Sequence, residues 1–233
     1  MKILALDTAT EACSAALLLD GKIFERYQLA PREHNRLILP MIEGLLAEAG
    51  KSLASLDALA FGRGPGSFTG VRIATGVAQG LAFGADLQVA PVSTLAALAQ
   101  EAFDETGDEY AFPCIDARMG EVYWGVYRRS DDGHVELVGE ETVTPADHVS
   151  FPDVAKGSGI GSGWATYREM LTDRLGEARL TGILADRFPR AGCIARLGAS
   201  LFRKGGAVSA ELAQPVYLRD KVAKKPGEAA NAG

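Results

Sequence analysis

Two stretches of the chain follow one plan. Ile3–Leu17 is an apolar strand, an aspartate at Asp7, a tight polar turn and a second apolar strand. Ala111–Tyr127 repeats that plan about one half-chain later, with Asp116 in the place of Asp7. A strand–aspartate–turn–strand unit used twice predicts two related lobes facing each other across a cleft. Such clefts commonly hold a phosphorylated ligand between paired turns. A doubly wound dinucleotide fold would need a glycine-rich turn opening a helix after the first strand. Here a second strand follows Asp7, so that architecture is excluded.

The rest of the pattern fills in both lobes. Ile3–Leu6, Ala15–Leu19 and Lys22–Leu29 read as strands, with Asp20-Gly21 as a hairpin turn. From His34 to Ala49 the period becomes helical: Leu37, Ile38, Met41, Ile42, Leu45, Leu46 and Ala49 form one stripe and Gly50 stops it. Leu39 lies off that stripe, and Pro40 removes a backbone donor inside it and is expected to kink the helix. Leu56–Phe61 is a buried strand that runs through Gly62–Gly70 into a helix over about Val71–Phe83. Gly76, Gly80 and Gly84 recur every four residues, each costing about 1 kcal/mol of helix propensity, which predicts close approach of another helix or strand.

Leu87–Ala90 is a further strand, and Ser93 or Thr94 caps the helix carrying Leu95, Leu98 and Ala99. Gly107-Asp108-Glu109 marks the lobe boundary, dividing the chain into 1–106 and 107–219. The second part carries strands at Ala111–Ile115, Glu121–Arg128 and His134–Gly139, with a turn at Asp131-Asp132-Gly133. A strand-to-glycine-loop segment follows at Ala155–Gly163, then a helix near Trp164–Leu175. A helix over Arg190–Arg203 is free to return to either lobe, and 220–233, rich in Lys, Pro, Gly and Ala, reads as a flexible tail. The fold class is α/β: duplicated ribonuclease-H-like lobes with mixed sheets, an arrangement of the actin-like ATPase superfamily.

Composition narrows the functional classes. A net charge of -6 gives no general attraction to nucleic acid or anionic lipid, so RNA contact would need a local patch or a basic partner. No run approaches the roughly 18–20 apolar residues that span a bilayer, and Met1-Lys2 leads straight into a strand, without a secretory leader. Cys13, Cys114 and Cys193 are odd in number and set in apolar surroundings; they read as buried thiols in the cytoplasm.

Three constellations carry possible chemistry. Gly64, Gly66 and Ser67 sit between a strand and a helix, where free amides and hydroxyls hold an anion; the alternative is a rigid turn that seats the helix. Asp7 and Asp116, with Thr8, Thr10 and Arg118 nearby, could orient a hydrated Mg²⁺ against ATP or ADP phosphates, or only cap their own turns. Gly157–Gly163 could cradle a sugar or phosphate, or form a tight corner before Trp164. No Lys-Ser/Thr follows the first loop, as a Walker loop requires, and no Gly-x-Ser-x-Gly elbow supports a hydrolase. The three histidines, His34, His134 and His148, form no local pair, and His34 reads as a cap or surface group. The helix at 34–49 carries more apolar bulk than one stripe needs. Its surplus face, with the glycine-lined helix, predicts either self-association or burial inside the lobe.

Asp7–Thr10, His34–Pro40, Gly62–Ile73, Asp116–Tyr123 and Gln214–Arg219 together resemble the bacterial TsaB family, formerly called YeaZ. The resemblance covers nearly the whole chain before the tail. It implies an actin-like, two-lobed protein needed to form threonylcarbamoyladenosine in tRNA, acting as a non-catalytic partner of the related subunit TsaD. TsaD carries the metal and transfers a threonylcarbamoyl group from its adenylate to N6 of adenosine. The resemblance further implies a homodimer in isolation, exchanged for a TsaD heterodimer through the same helical surface, with the ATPase TsaE joining near the junction. Where TsaD-like proteins place a His-x-x-x-His pair, this chain reads Pro91–Ala99, without imidazoles. Interface positions carried over are Leu37, Leu39, Pro40, Ile42, Glu43 and Leu46 on one helix. On the next they are Gly70, Val71, Ile73, Ala74, Val77 and Ala78, with Arg36 and Arg72 at the rim. No cofactor is implied for the subunit itself; ATP, ADP and Mg²⁺ belong to the rival reading as an actin-like kinase or ATPase, or to the partner complex.

Overall fold

A computed structural model describes residues 1–130, 133, 135–152 and 156–219. The tail 220–233 lies outside the described residues, as do Asp131, Asp132, His134 and Ala155 at the edges of expected elements.

The chain opens with β1 (Lys2–Asp7), β2 (Ala12–Leu19) and β3 (Lys22–Leu29), an antiparallel meander in which Ala5 faces Ala16 and Ala16 faces Glu25. α1 (His34–Ala49) runs unbroken through Pro40 and ends at Gly50, whose φ of 59° is the left-handed cap that glycine adopts freely. β4 (Ala58–Gly62) joins β1 in parallel, α2 (Phe68–Ala85) starts under the Ser67 cap, and β5 (Val89–Val92) closes the sheet. Among the described residues this sheet has five strands, ordered β3-β2-β1-β4-β5. Its central strands β1, β2 and β4 are buried along nearly their whole length because both faces are covered. Leu4 and Leu6 point to Ile38, Ile42 and Leu45 of α1 and Ala74 and Ala78 of α2, while Ile3 and Ala5 point the other way.

α3 (Thr94–Thr106) leads into β6 (Tyr110–Arg118) and β7 (Glu121–Trp124). The strand expected over Glu121–Arg128 is broken: Gly125 and Val126 leave the ladder, and β8 (Tyr127–Arg129) pairs with the start of β6 and with β9 (Val135–Leu137). β10 (Thr142–Pro145) then pairs β7, β11 (Gly157–Ile160) pairs β6 in parallel, and two short helices, α4 (Ser162–Thr166) and α5 (Arg168–Leu175), replace one expected helix. β12 (Leu180–Leu184) is the far edge. The second sheet is ordered β10-β7-β6-β11-β12 with β8 and β9 as a side ribbon. With the side ribbon β8–β9 set aside, and strands counted from β1 and from β6, both lobes use the same order, third-second-first-fourth-fifth. The duplicated, mixed-sheet, actin-like architecture is therefore present.

The covering helices are exchanged between lobes. α6 (Ala191–Arg203) lays Ile194, Ala195 and Ala199 on the free face of the first sheet, and Gly198 sits directly on Ala60, where a side chain would collide. α3 places Leu95, Leu98, Ala102 and Phe103 against Ala111, Ile115 and Ile160 of the second sheet. A cut at 106/107 therefore separates α3 from the strands that it covers. On the other face of the second sheet, Phe112 and Trp124 stack at 6.1 Å beside Trp164.

Candidate functional site

Asp7 ends β1 with no solvent exposure. Its Oδ1 accepts from the Ala9 amide at 3.0 Å, its Oδ2 is buried without a partner, and burial pushes its carboxyl up to about 7 against the opposing pull of that amide. Gly62 lies against that oxygen so closely that a side chain there would overlap it. Asp116 makes the matching turn: its Oδ1 accepts from the Arg118 amide at 2.7 Å and its Oδ2 from Arg118 Nη1 at 3.1 Å. Both aspartates thus bond to the turns that follow them.

The glycine loop is seated on the first of those turns. Ser67 N donates to Ala9 O at 2.7 Å and Thr8 Oγ1 donates to Gly70 O at 2.7 Å. Gly66 and Gly70 press against the backbone of Ala9 and Thr8, leaving no room for Cβ atoms. Asp7, Thr8 and Gly64 are sealed beneath this contact, whereas Thr10, Gly66, Ser67, Asp116 and Arg118 line a cavity of about 420 Å³ between the lobes. These residues do not fit a hydrated Mg²⁺: Asp7 is closed off and Asp116 is occupied by Arg118. Among the described residues no group of three His, Cys, Asp or Glu side chains could hold a metal ion.

Gly157–Gly163 has a packing explanation at every glycine. Gly157 abuts Tyr110, Gly159 lies on the Trp164 ring, and Gly161 and Gly163 abut Cys114. Ser158 bonds to Asp108, and Ser162 Oγ accepts from the Asp116 amide at 3.2 Å.

The structure also places groups that local pattern did not single out for the cleft. His34 is buried rather than a surface cap, and its Nε2 has no partner. Arg32, Phe68, Tyr123, Tyr217 and Arg219 share the cavity wall with it. Tyr217 and Arg219 arrive on the final described segment. There Val216 N donates to Arg63 O at 2.8 Å, Arg72 Nε donates to Tyr217 Oη at 2.9 Å, and Arg219 bonds to Glu121. Arg72 lies 3.5 Å above the Phe68 ring, while Arg36 pairs with Glu33. The Gln214–Arg219 block was a signal in the sequence, although its chemistry was not.

The α1–α2 face divides the carried-over interface positions. Leu39, Pro40 and Glu43 are exposed, and Leu37, Leu46, Ile73 and Val77 are half-buried. Ile42, Gly70, Val71, Ala74 and Ala78 are buried against the first sheet or the glycine loop and present no surface, which removes them from that face. Gly76, Gly80 and Gly84 form an open ridge on α2, where no other element among the described residues comes within 4 Å of an added Cβ. Among the described residues no element therefore makes the close approach expected from their spacing. Phe83, 83% exposed, stands seven residues beyond Gly76 on the same side and was missed; that spacing was the available signal.

Comparison with known proteins agrees with this architecture. The family model for TsaD, tRNA N6-adenosine threonylcarbamoyltransferase, matches residues 27–226. A tRNA threonylcarbamoyladenosine biosynthesis protein TsaB from Escherichia coli is 44% identical, covering 98% of this chain and 100% of the relative. One of the same name from Bacillus subtilis is 30% identical, covering 94% of each chain. The solved structure of YeaZ from Pseudomonas aeruginosa superposes with a TM-score of 0.86 at 47% identity, covering 93% of this chain and 99% of that one. With a shared fold, shared motifs and identity along nearly its whole length, the chain belongs to the TsaB family of tRNA threonylcarbamoyladenosine biosynthesis proteins.

Proposed function

We propose that this protein is a non-catalytic subunit in the formation of threonylcarbamoyladenosine in tRNA, acting in the cytoplasm by binding and activating the transferase TsaD. The supporting observation is the open ridge of Gly76, Gly80 and Gly84, with half-buried Val77 and exposed Phe83 on the same helix; Leu39 is exposed on α1. A glycine ridge lets a second helix approach at backbone distance, and exposed apolar side chains beside it gain by leaving water. In isolation the same face pairs with a second copy; in the complex it meets TsaD, and TsaE joins near that junction. Contact with tRNA comes through the assembly.

The segment aligned by resemblance with the transferase's metal-binding histidines serves structure here. Ser93 caps α3 by accepting from the Leu95 and Ala96 amides and bonds to Glu141, while Thr94 donates to Pro65 O. Activation is therefore indirect: docking stabilises the reactive arrangement of the partner. The test is reconstitution of the tRNA reaction with TsaD, TsaE and the adenylate-forming enzyme, with and without this protein. Full activity in its absence, or turnover by this protein alone, would overturn the reading.

A further inference from the structure

Ala97 and Glu101 stand one turn apart on α3, on the side that meets α6. Ala97 joins the apolar cluster that α6 forms with the first sheet, whereas Glu101 brings a carboxylate to the same junction. Only 6% of Glu101 is exposed, and its Oε2 has no hydrogen-bond partner. The residue lines a cavity of about 290 Å³ between β3, α3 and α6, which shares no residue with the interlobe cleft or the α2 ridge. The other charges on its wall are already matched. Arg190 grips Glu25 Oε2 through Nε at 2.9 Å and Nη2 at 2.7 Å, Arg187 Nη2 donates to Glu105 at 2.8 Å, and Arg196 pairs with Asp104. Arg187 Nε is 3.9 Å from Glu101 Oε1, beyond hydrogen-bond reach. Four carboxylates against three guanidinium groups leave one negative charge, and it falls on the most buried of the acids. An unmatched buried carboxylate costs stability that an apolar side chain would not, and such groups concentrate where a protein binds something.

We propose that this cavity binds a small primary alkylammonium ion, with its N–H groups directed to the Glu101 carboxylate and its alkyl body against Ile23 and Cys193. The residual negative charge disfavours an anion. Among the described residues no three His, Cys, Asp or Glu side chains are grouped to hold a metal ion. A primary ammonium brings three donors to an acceptor that lacks one, whereas a quaternary ammonium brings none. The site goes beyond the docking role and does not rest on it.

The full chain is titrated with butylammonium chloride and followed by NMR at the Gly192 and Cys193 amides. Potassium chloride and trimethylbutylammonium chloride at equal ionic strength are the controls. Saturable shifts are expected with butylammonium, at least tenfold tighter than with either control. Glu101→Gln keeps the shape and removes the charge, and should weaken binding at least tenfold through loss of a charge-assisted contact. Arg187→Gln removes the nearest cation and should tighten binding severalfold, which keeps the test open if the first variant fails to fold.

Affinity should also follow the ionisation of Glu101. Burial outweighs Arg190 and Arg187 and pushes its carboxyl up to about 7 in the empty site, while an alkylamine stays protonated well above that. Around it stand Glu25 and Tyr27 of β3, Asp104 and Glu105 of α3, Arg187 and Arg190 before α6, and Cys193 and Arg196 on α6. Burial raises both Tyr27 and Cys193, which keeps them neutral in this range. Binding should therefore tighten about tenfold from pH 6 to pH 8, and Glu101→Gln should lose that rise. No saturable binding of butylammonium, equal affinity for trimethylbutylammonium, undiminished affinity in Glu101→Gln, weaker binding in Arg187→Gln, or no rise with pH would each overturn the proposal.

Discussion

Arg118 Nη2 reaches across the cleft to Glu11 Oε1 at 2.7 Å, joining the turn of the second lobe to the turn of the first. The same guanidinium holds Asp116, so one side chain ties its own turn and clasps the repeated one. The arginine side chain is 70% exposed, which limits an ion pair of this kind to about 0–1 kcal/mol. Glu11→Gln should therefore leave the melting temperature nearly unchanged. Amide exchange across residues 8–11 and 117–120 should nevertheless accelerate. The difference from the unsubstituted protein should shrink in high salt, where the Debye length is a few ångströms. Exchange unchanged at low salt would show that the contact does not restrain the turns.

Glycines packed where the loop enters α2 and glycines on its open side should respond with opposite sign. Gly66→Ala and Gly70→Ala drive a methyl into the backbone of Ala9 and Thr8 and should each cost about 2 kcal/mol or more in urea unfolding. Gly76→Ala meets no other element among the described residues and should stabilise the isolated monomer by up to about 1 kcal/mol through helix propensity. If the ridge is the docking surface, that same change should weaken co-elution with TsaD. A more stable protein with undiminished binding would remove the ridge from the interface.

Leu39→Asp and Phe83→Ser test the face from both helices. Each side chain is exposed in the monomer, so circular dichroism melting should move little, within about 0.5 kcal/mol. Leu39→Asp places an uncompensated charge in the proposed contact and should abolish the dimer in sizing chromatography and reduce TsaD binding at least tenfold. A dimer that survives both changes would place the contact elsewhere.

Asp7 gives the stability a pH dependence whose sign follows from burial. Its carboxyl titrates near the usual 3.9 when unfolded and at about 7 when folded, so between those values the folded state binds more protons. Stability from this group is complete below about pH 4 and is lost as pH rises through about 7. Asp7→Asn should flatten the fall in urea midpoint between pH 5 and pH 8 and raise stability at pH 8 by a few kcal/mol, on the order expected for a buried carboxylate. Burial also pushes Glu101 up to about 7, opposed by Arg190 and Arg187, so part of the slope remains in the variant. An unchanged slope would assign the titration to Glu101 alone.

Sequence revealed most clearly the segments buried on both faces or punctuated by strong stops. Ile3–Leu6 was legible because α1 and α2 cover one side and α6 the other, and Gly50 ended α1 in the left-handed conformation expected of a stop. β10 and β12 were not: Thr142–Pro145 has no apolar run, and β12 is an edge strand with Gly182 and exposed Thr181 at its centre. Gly125 broke the long strand because its backbone lies under Tyr127 and Leu95, a tertiary constraint with no local mark. The cleft followed the same rule. The repeated aspartates announced paired turns, but the sealing of Asp7 depends on Ser67 and its loop folding down on Ala9 from far along the chain, and Arg32 and Tyr217 come to one cavity wall only through the completed fold.

The exchange of α3 and α6 makes each half of the molecule hostage to the other. During synthesis the back of the opening sheet has nothing to lie against until residue 203 has emerged, although its strands were finished by residue 92. A fragment ending at 106 would leave Ile3, Ala5 and Ala60 bare and carry α3 without the strands it shields. The duplicated halves thus cannot be lent out singly as independent modules: a gene that halves this chain at its visible repeat would yield two incomplete products.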